Sequence, residues 1–256
     1  MTLPRTKVVP PSAEAATPAA ATPLAPLPGD SGQWWWLPGA PGDPAFNMAL
    51  DEALLAAAPQ LGRPLLRFYG WSQPAATFGY SQRYDHVATL TPLRPLLRRP
   101  SGGGLVPHDG DWTYTLVFPP EHPWYALRAR DSYERLHAWL HRTFRRLGLA
   151  TELAAAPRHG AGACFAGAEV NDVLWRGAKI AGAAQRRTKS GLLIQGSVQP
   201  PTGAPDRSVW EGAVLAVAAQ DWGLRWEQWR LPAEVEAEAA RLVRDKYGRP
   251  DYHCQR

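Results

Sequence analysis

The chain has 256 residues, 45% hydrophobic and 20% charged, with a formal net charge of +5 and two cysteines, Cys164 and Cys254. That length and balance suit a protein with its own buried core, and exclude a wholly disordered chain or a small disulfide-stapled scaffold. No stretch approaches the roughly 18 apolar residues of a membrane span, and no basic run is dense enough to indicate nucleic acid, so neither is expected as a partner.

The first 32 residues are dominated by Ala and Pro, and Pro10, Pro11, Ser12, Glu14, Thr17 and Pro18 interrupt any apolar block of the kind a secretory signal carries. So little apolar surface cannot offset ordering entropy. A disordered tail over residues 1–32, one folded domain over 33–256 and a cytoplasmic setting are the expectations. Order is expected from Gln33-Trp34-Trp35-Trp36. Asp43 followed by Pro44 signals a helix start, and Phe46, Ala49, Leu50, Ala53 and Leu54 form one apolar face behind it. Strands are predicted at 65–69 and 75–79, then at 113–118.

A second helix is predicted from Asp131 or Ser132 to Leu147, stopping at Gly148, with Tyr133, Leu136, Leu140, Phe144 and Leu147 inward and Arg142, Arg145 and Arg146 outward. Further strands are predicted at 172–175, 178–183 and 192–198, and the residues after Pro200 read as mostly helical. The last helix opens at Pro232 and closes at Lys246-Tyr247-Gly248. Strands, helices and hairpins alternate irregularly, which predicts an α+β fold with a mixed, mostly antiparallel sheet flanked by helices.

Two segments carry chemistry. In Arg98-Arg99-Pro100-Ser101-Gly102-Gly103-Gly104-Leu105-Val106-Pro107-His108-Asp109, three glycines let the backbone approach a ligand and offer N–H groups, and two arginines can serve carboxylate or phosphate oxygens. The alternative is a flexible turn between strands. The segment has neither the Walker spacing nor the dinucleotide fingerprint. In Asn171-Asp172-Val173-Leu174-Trp175-Arg176-Gly177-Ala178-Lys179-Ile180-Ala181-Gly182, a hairpin turns at Arg176-Gly177. Lys179 follows the turn, either solvated or beside a ligand space left by Ala181, Gly182 and Ala183.

Together with Asn47-Met48-Ala49-Leu50-Asp51-Glu52 and Phe78-Gly79-Tyr80-Ser81-Gln82, these segments resemble, in order, the octanoyltransferase and lipoate–protein ligase branch of the biotin/lipoate ligase superfamily. The resemblance spans roughly residues 45–200. It implies an acyl tunnel bounded by the glycine loop, with Lys179 at the acyl carbonyl. Substrate-binding roles follow for Arg98, Arg99, Ser101, Gly102, Gly103, Gly104, His108, Asp109 and Gly182, and no resident metal. His108 and Asp109 either move a proton or hold the loop. Gln195-Gly196-Ser197 departs from the family's usual His-Gly-Ser.

Cys164-Phe165 bears on the choice between branches. A buried cysteine is commonly a small hydrophobe. Here Gly160-Ala161-Gly162-Ala163 leaves the thiol accessible, and a nearby ammonium favours the thiolate. A Cys-Phe pair before the lysine hairpin is similar to the cysteine-dependent octanoyltransferases and lipoyl amidotransferases. The expected function is octanoyl transfer from acyl carrier protein to a lipoyl-domain lysine through an acyl–Cys164 thioester, without a cofactor. The acceptor is glycine cleavage H protein or a 2-oxoacid dehydrogenase E2. The alternatives are a lipoate–protein ligase using ATP and Mg²⁺, a lipoyl amidotransferase, and a catalytically silent module that binds carrier domains. Cys254 is expected to be inert.

Overall fold

The computed structural model describes residues 26–158 and 167–255. Along the chain it places β1 (Gln33–Leu37), β2 (Pro41–Gly42), α1 (Pro44–Ala56), α2 (Ala58–Leu61), β3 (Leu65–Trp71), β4 (Ala75–Phe78) and α3 (Tyr84–Ala88). There follow β5 (Leu96–Arg98), β6 (Val106–His108), β7 (Trp112–Phe118), α4 (Pro123–Ala126), α5 (Ala129–Arg146), β8 (Thr151–Leu153), β9 (Val173–Trp175), β10 (Ala178–Thr188) and β11 (Gly191–Val198). The last elements are α6 (Arg207–Trp222), β12 (Arg225–Gln228), α7 (Ala233–Leu242), a π-helical turn (Val243–Tyr247) and α8 (Pro250–Cys254).

Among the described residues, the main sheet has nine strands in the order β12-β1-β3-β7-β11-β10-β9-β8, with β2 beside β3. β1 runs parallel to β12 and β3, and every pair from β3 to β8 is antiparallel. The expected mixed, mostly antiparallel sheet is present. Period-two alternation sends Leu66 and Phe68 of β3, Leu116 and Phe118 of β7, and Leu192 and Ile194 of β11 to one face, against Leu136, Trp139 and Leu140 of α5 and Trp210 and Val214 of α6. Leu65, Val117 and Leu193 point the other way, onto Leu50 and Leu54 of α1 and Val235 and Ala239 of α7. Both faces are buried, so these strands read as continuous apolar runs. A smaller sheet, β5-β4-β6, packs beside the main one with its own cluster around Phe78, Val87 and Leu105.

The first helix starts as predicted. Asp43 accepts from the Phe46 N–H at 3.0 Å and Pro44 takes the first position, an arrangement worth about 1 kcal/mol. The second helix begins earlier than predicted, at Ala129. Ser132 does not cap it, because its hydroxyl bonds the Arg128 and Ala129 carbonyls and the Gln185 side chain. Strand β10 runs on to Thr188, beyond the predicted end, because Ala184, Gln185, Arg186 and Arg187 keep pairing with β11. Strands β1 and β12 went unpredicted. Of the expected tail, residues 26–32 are described: Leu27 packs on the core, and Asp30 accepts from the Gly32 N–H at 2.8 Å. Among the described residues, no helix is long and apolar enough to cross a membrane.

Candidate active site

Residues of both sheets line a cavity of about 410 Å³. Its walls come from the glycine loop (Arg99, Gly103, Gly104), from β10 (Lys179, Gly182, Ala184), from β11 (Gln195, Gly196, Ser197) and from Tyr69, Thr77, His108 and Tyr133. Three buried carboxylates stand behind these walls, and each organises one side.

The first is Asp172. The hairpin predicted at Arg176-Gly177 forms, with both residues at positive φ. It folds β10 back along β9, so that Asp172, just ahead of β9, faces Lys179. The Lys179 ammonium lies 2.8 Å from Asp172 Oδ2, with the lysine side chain 10% exposed and the aspartate sealed. The Glu169 N–H donates to the same carboxylate at 2.6 Å, and the Tyr133 hydroxyl donates to its other oxygen. Burial, followed by the Asp172 charge, raises the Tyr133 pKa, so it stays a donor. Beneath it, His137 bonds the Tyr133 carbonyl at 2.9 Å, and burial pushes its pKa down to about 4. Gly182 borders the cavity, as expected, and also packs against the lysine stem. A Cβ there would stand 2.6 Å from Lys179 Cε, so glycine serves to let the lysine stem lie flat on the strand.

The second centre is Asp51 on α1. Arg67 reaches it at 2.6 Å, Tyr69 at 2.9 Å, Thr115 at 2.8 Å and Gln195 at 2.7 Å. Gln195 also accepts from the Ser101 hydroxyl at 2.6 Å and so ties the glycine loop to α1. Arg67 is held further by Asn47, one helical turn before Asp51. The third is Asp111, which takes bonds from Ser197 at 2.7 Å and Thr113 at 3.0 Å and pairs with His108 Nδ1 at 2.9 Å. His108 Nε2 meets Thr77 Oγ1 at 2.9 Å, and its ring stacks on Trp71 at 3.9 Å.

The glycine loop sits against Gly79, where a Cβ would lie 1.9 Å from the Gly103 carbonyl oxygen. Close backbone contact therefore links the strand-turn motif to the loop.

Of the residues picked from sequence, Lys179, Arg99, Gly103, Gly104, His108 and Gly182 line the cavity. Four are placed otherwise. Arg98 is buried and turned away, donating to the carbonyls of Tyr80, Gln82 and His253 at 2.6, 2.7 and 2.8 Å. Ser101 is buried on Gln195 behind the wall, and Gly102 supplies a carbonyl to Arg99. Asp109 is exposed, and the carboxylate that engages His108 is Asp111. Cys164 lies outside the described residues. The chain to either side, at Arg158 and at Gly167, Ala168 and Glu169, lines the same cavity. Cys254 is exposed with a free thiol.

Sequence reading assigned no role to Asp172, Tyr133, Asp51 or Asp111. A usable signal existed for Asp172, a carboxylate placed across a two-residue turn from a lysine. Tyr133 read as one more apolar position of an amphipathic helix.

Residues 43–199, more than half of the chain, match the family model described as the lipoyl protein ligase A/B catalytic domain. The octanoyltransferase LipM of Oceanobacillus iheyensis is 36% identical over 174 residues, which are 65% of this chain and 63% of that protein, so the chain matches less than two thirds of its relative. In fold, a bi-partite lipoate protein ligase from Thermoplasma acidophilum, studied with its E2 lipoyl domain, superposes with a TM-score of 0.65 at 20% identity over 87% of this chain and 96% of that one. A lipoate-protein ligase A bound with ATP gives 0.68 at 19% identity over 87% and 98% of the two chains. With the ordered motifs, the sheet topology and this match in agreement, the chain belongs to the lipoyl protein ligase A/B catalytic domain family.

Proposed function

We propose that the protein is an octanoyltransferase that moves an octanoyl group from acyl carrier protein to a lysine of a lipoyl domain, through a thioester on Cys164. The observation that carries this reading is the placing of Lys179. Its ammonium is fixed by a sealed aspartate at the wall of a cavity that also receives both ends of the segment bearing Cys164. The similarity to octanoyltransferases over 65% of the chain supports the choice of acyl group.

In the first step the Cys164 thiolate attacks the donor thioester. The C–S bond to the carrier breaks, and the carrier leaves as a thiolate that takes up a proton. In the second step the neutral amine of the acceptor lysine attacks the acyl–Cys164 carbonyl. An amide forms, the cysteine thiolate departs, and the amine proton goes to solvent. Each step passes through a tetrahedral oxyanion, which the Lys179 ammonium stabilises. A thioester donor is already activated, so the reading calls for neither ATP nor Mg²⁺. The acceptor is the lipoyl domain of a glycine cleavage H protein or a 2-oxoacid dehydrogenase E2. An E2 lipoyl domain accompanies the Thermoplasma acidophilum ligase of similar fold.

The test is the intact mass of the protein after incubation with octanoyl–acyl carrier protein in the absence of ATP, for wild type and Cys164→Ser. A hydroxylamine-labile octanoyl adduct on wild type, with none or only a stable ester on the variant, is expected. No adduct, combined with ATP-dependent attachment of free lipoate to a lipoyl domain, would make the protein a ligase instead.

A further inference from the structure

The strand that feeds the glycine loop is gripped from outside the family-matched segment. Among the described residues, β5 pairs with β4 on one side only. On its other side the Arg98 N–H donates to His253 Nδ1 of α8 at 3.0 Å. The opposite ring nitrogen, Nε2, faces the Tyr247 carbonyl at 2.9 Å. A carbonyl only accepts, so Nε2 carries the proton and Nδ1 is the bare acceptor that the Arg98 N–H requires.

Arg98 returns the contact. Its guanidinium donates to the His253 carbonyl at 2.8 Å, and also to the Tyr80 and Gln82 carbonyls of the turn beside the loop. Both residues are buried, Arg98 to 1% exposure. Burial, which outweighs the opposing pull of the Tyr247 carbonyl, lowers the His253 pKa and keeps the ring neutral. The very next residue, Arg99, lines the cavity, and Gly103 and Gly104 follow it there. The contacts to His253 come from α8, which lies outside residues 43–199.

We propose that His253 is a positioning residue. By accepting the Arg98 N–H on its ring and the Arg98 guanidinium on its carbonyl, it fixes β5 and so sets Arg99 and the glycine loop against the bound ligand. The consequence for acyl transfer rests on the octanoyltransferase reading, whereas the grip on β5 does not.

Three variants of the full chain separate the contacts. His253→Leu removes both ring contacts. His253→Asn places an amide oxygen where Nδ1 stood and keeps the acceptor. His253→Gln keeps the reach to Tyr247 and loses the acceptor. Hydrogen exchange is followed in peptides covering 96–104, with 112–118 and 191–198 as internal references, beside steady-state kinetics with octanoyl–acyl carrier protein.

Leu and Gln are expected to speed exchange in 96–104 by about tenfold while the reference strands stay as in wild type. KM for the acyl donor should rise about fivefold with kcat within about twofold, the mark of lost binding rather than lost chemistry. Asn should restore both readouts to within about twofold of wild type. If Leu does not fold, the contrast between Asn and Gln decides alone. Unchanged exchange in 96–104, equal damage from Asn and Gln, or loosening that extends to the reference strands would each overturn the proposal. If wild type transfers no acyl group, the kinetic arm falls with the functional reading, and exchange still decides the grip.

Discussion

Asp51 and Asp172 are both fully buried, both paired with a cation, and both a single side chain removed from the same cavity. Asp51 spreads its bonds over Arg67, Tyr69, Thr115 and Gln195, and its cation is itself 5% exposed and tied to Asn47. Tyr69 and Gln195 reach Asp51 from the cavity wall, while its cation, Arg67, is buried. Asp172 is held by the Glu169 N–H and the Tyr133 hydroxyl, and its cation is Lys179, which lines the cavity. The same ion-pair chemistry thus does two things. Where the cation is enclosed, it locks α1 to β3. Where the cation lines the cavity, as at Lys179, the ion pair holds a positive group at the cavity wall. Burial of a charge does not distinguish structure from function here; the side on which its partner is exposed does.

Removing each cation puts that contrast to the test. Arg67→Met leaves Asp51 buried without its counter-ion, which costs about 3–5 kcal/mol of stability. The folded fraction should retain its acyl-transfer rate. A urea midpoint set against the rate per folded molecule checks this, and a variant of full stability but low rate would break the distinction. Lys179→Ala has the opposite signature. Asp172 then faces a cavity that water enters, and two of its donors remain, so the stability cost is the smaller of the two. Transfer should fall by about 10²–10³, the usual cost of losing one oxyanion donor. Formation of the octanoyl adduct, timed under single-turnover conditions, reads that loss directly.

The Asp172 side also carries a pH dependence. His137, beneath Tyr133, has its pKa depressed by burial to about 4 from the ordinary 6.5. Between these values the unfolded chain binds a proton that the folded chain does not, so stability is lost as pH falls from about 6.5 towards 4. By pH 4.5 the loss from this group is about 2–3 kcal/mol. His137→Phe removes the titration. The difference in urea midpoint between pH 7 and pH 4.5 should therefore be smaller in the variant than in wild type. Equal differences in the two proteins would show that His137 takes no part.

What could be read in the sequence follows the same division. The α1 start at Asp43-Pro44, the turn at Arg176-Gly177 and the glycine loop were legible because local chemistry dictates them: a cap, a positive-φ turn, a backbone without side chains. Lys179 was legible through the order of its motifs. Arg98 and Arg99 could not be told apart by spacing, and only the strand decides that the first turns out to α8 while the second turns in. Asp111 was missed in favour of Asp109 for a similar reason. β7 begins at Trp112 and sets which carboxylate near His108 comes back beneath the ring. β1 and β12 find each other across nearly the whole chain, pairing Gln33 with Arg225, and no short window contains that partnership.

Gln195 tests whether the two carboxylate centres are independent, because it lines the cavity and also belongs to the Asp51 network. Its amide nitrogen donates to Asp51 at 2.7 Å while its oxygen accepts from Ser101 at 2.6 Å. The position therefore requires one donor and one acceptor on opposite ends of a planar group. A neutral imidazole offers the same pair. Gln195→Leu keeps the volume and removes both functions, leaving the buried Ser101 hydroxyl without its acceptor. The expected cost is about 1–2 kcal/mol. Gln195→His should recover most of it, by a tautomer that donates to Asp51 and accepts from Ser101. If both variants are equally destabilised, the shape of the amide matters more than its bonds. If both leave stability unchanged but slow adduct formation, Gln195 belongs to the Asp172 side of the cavity in function, and the enclosed centre is not wholly structural.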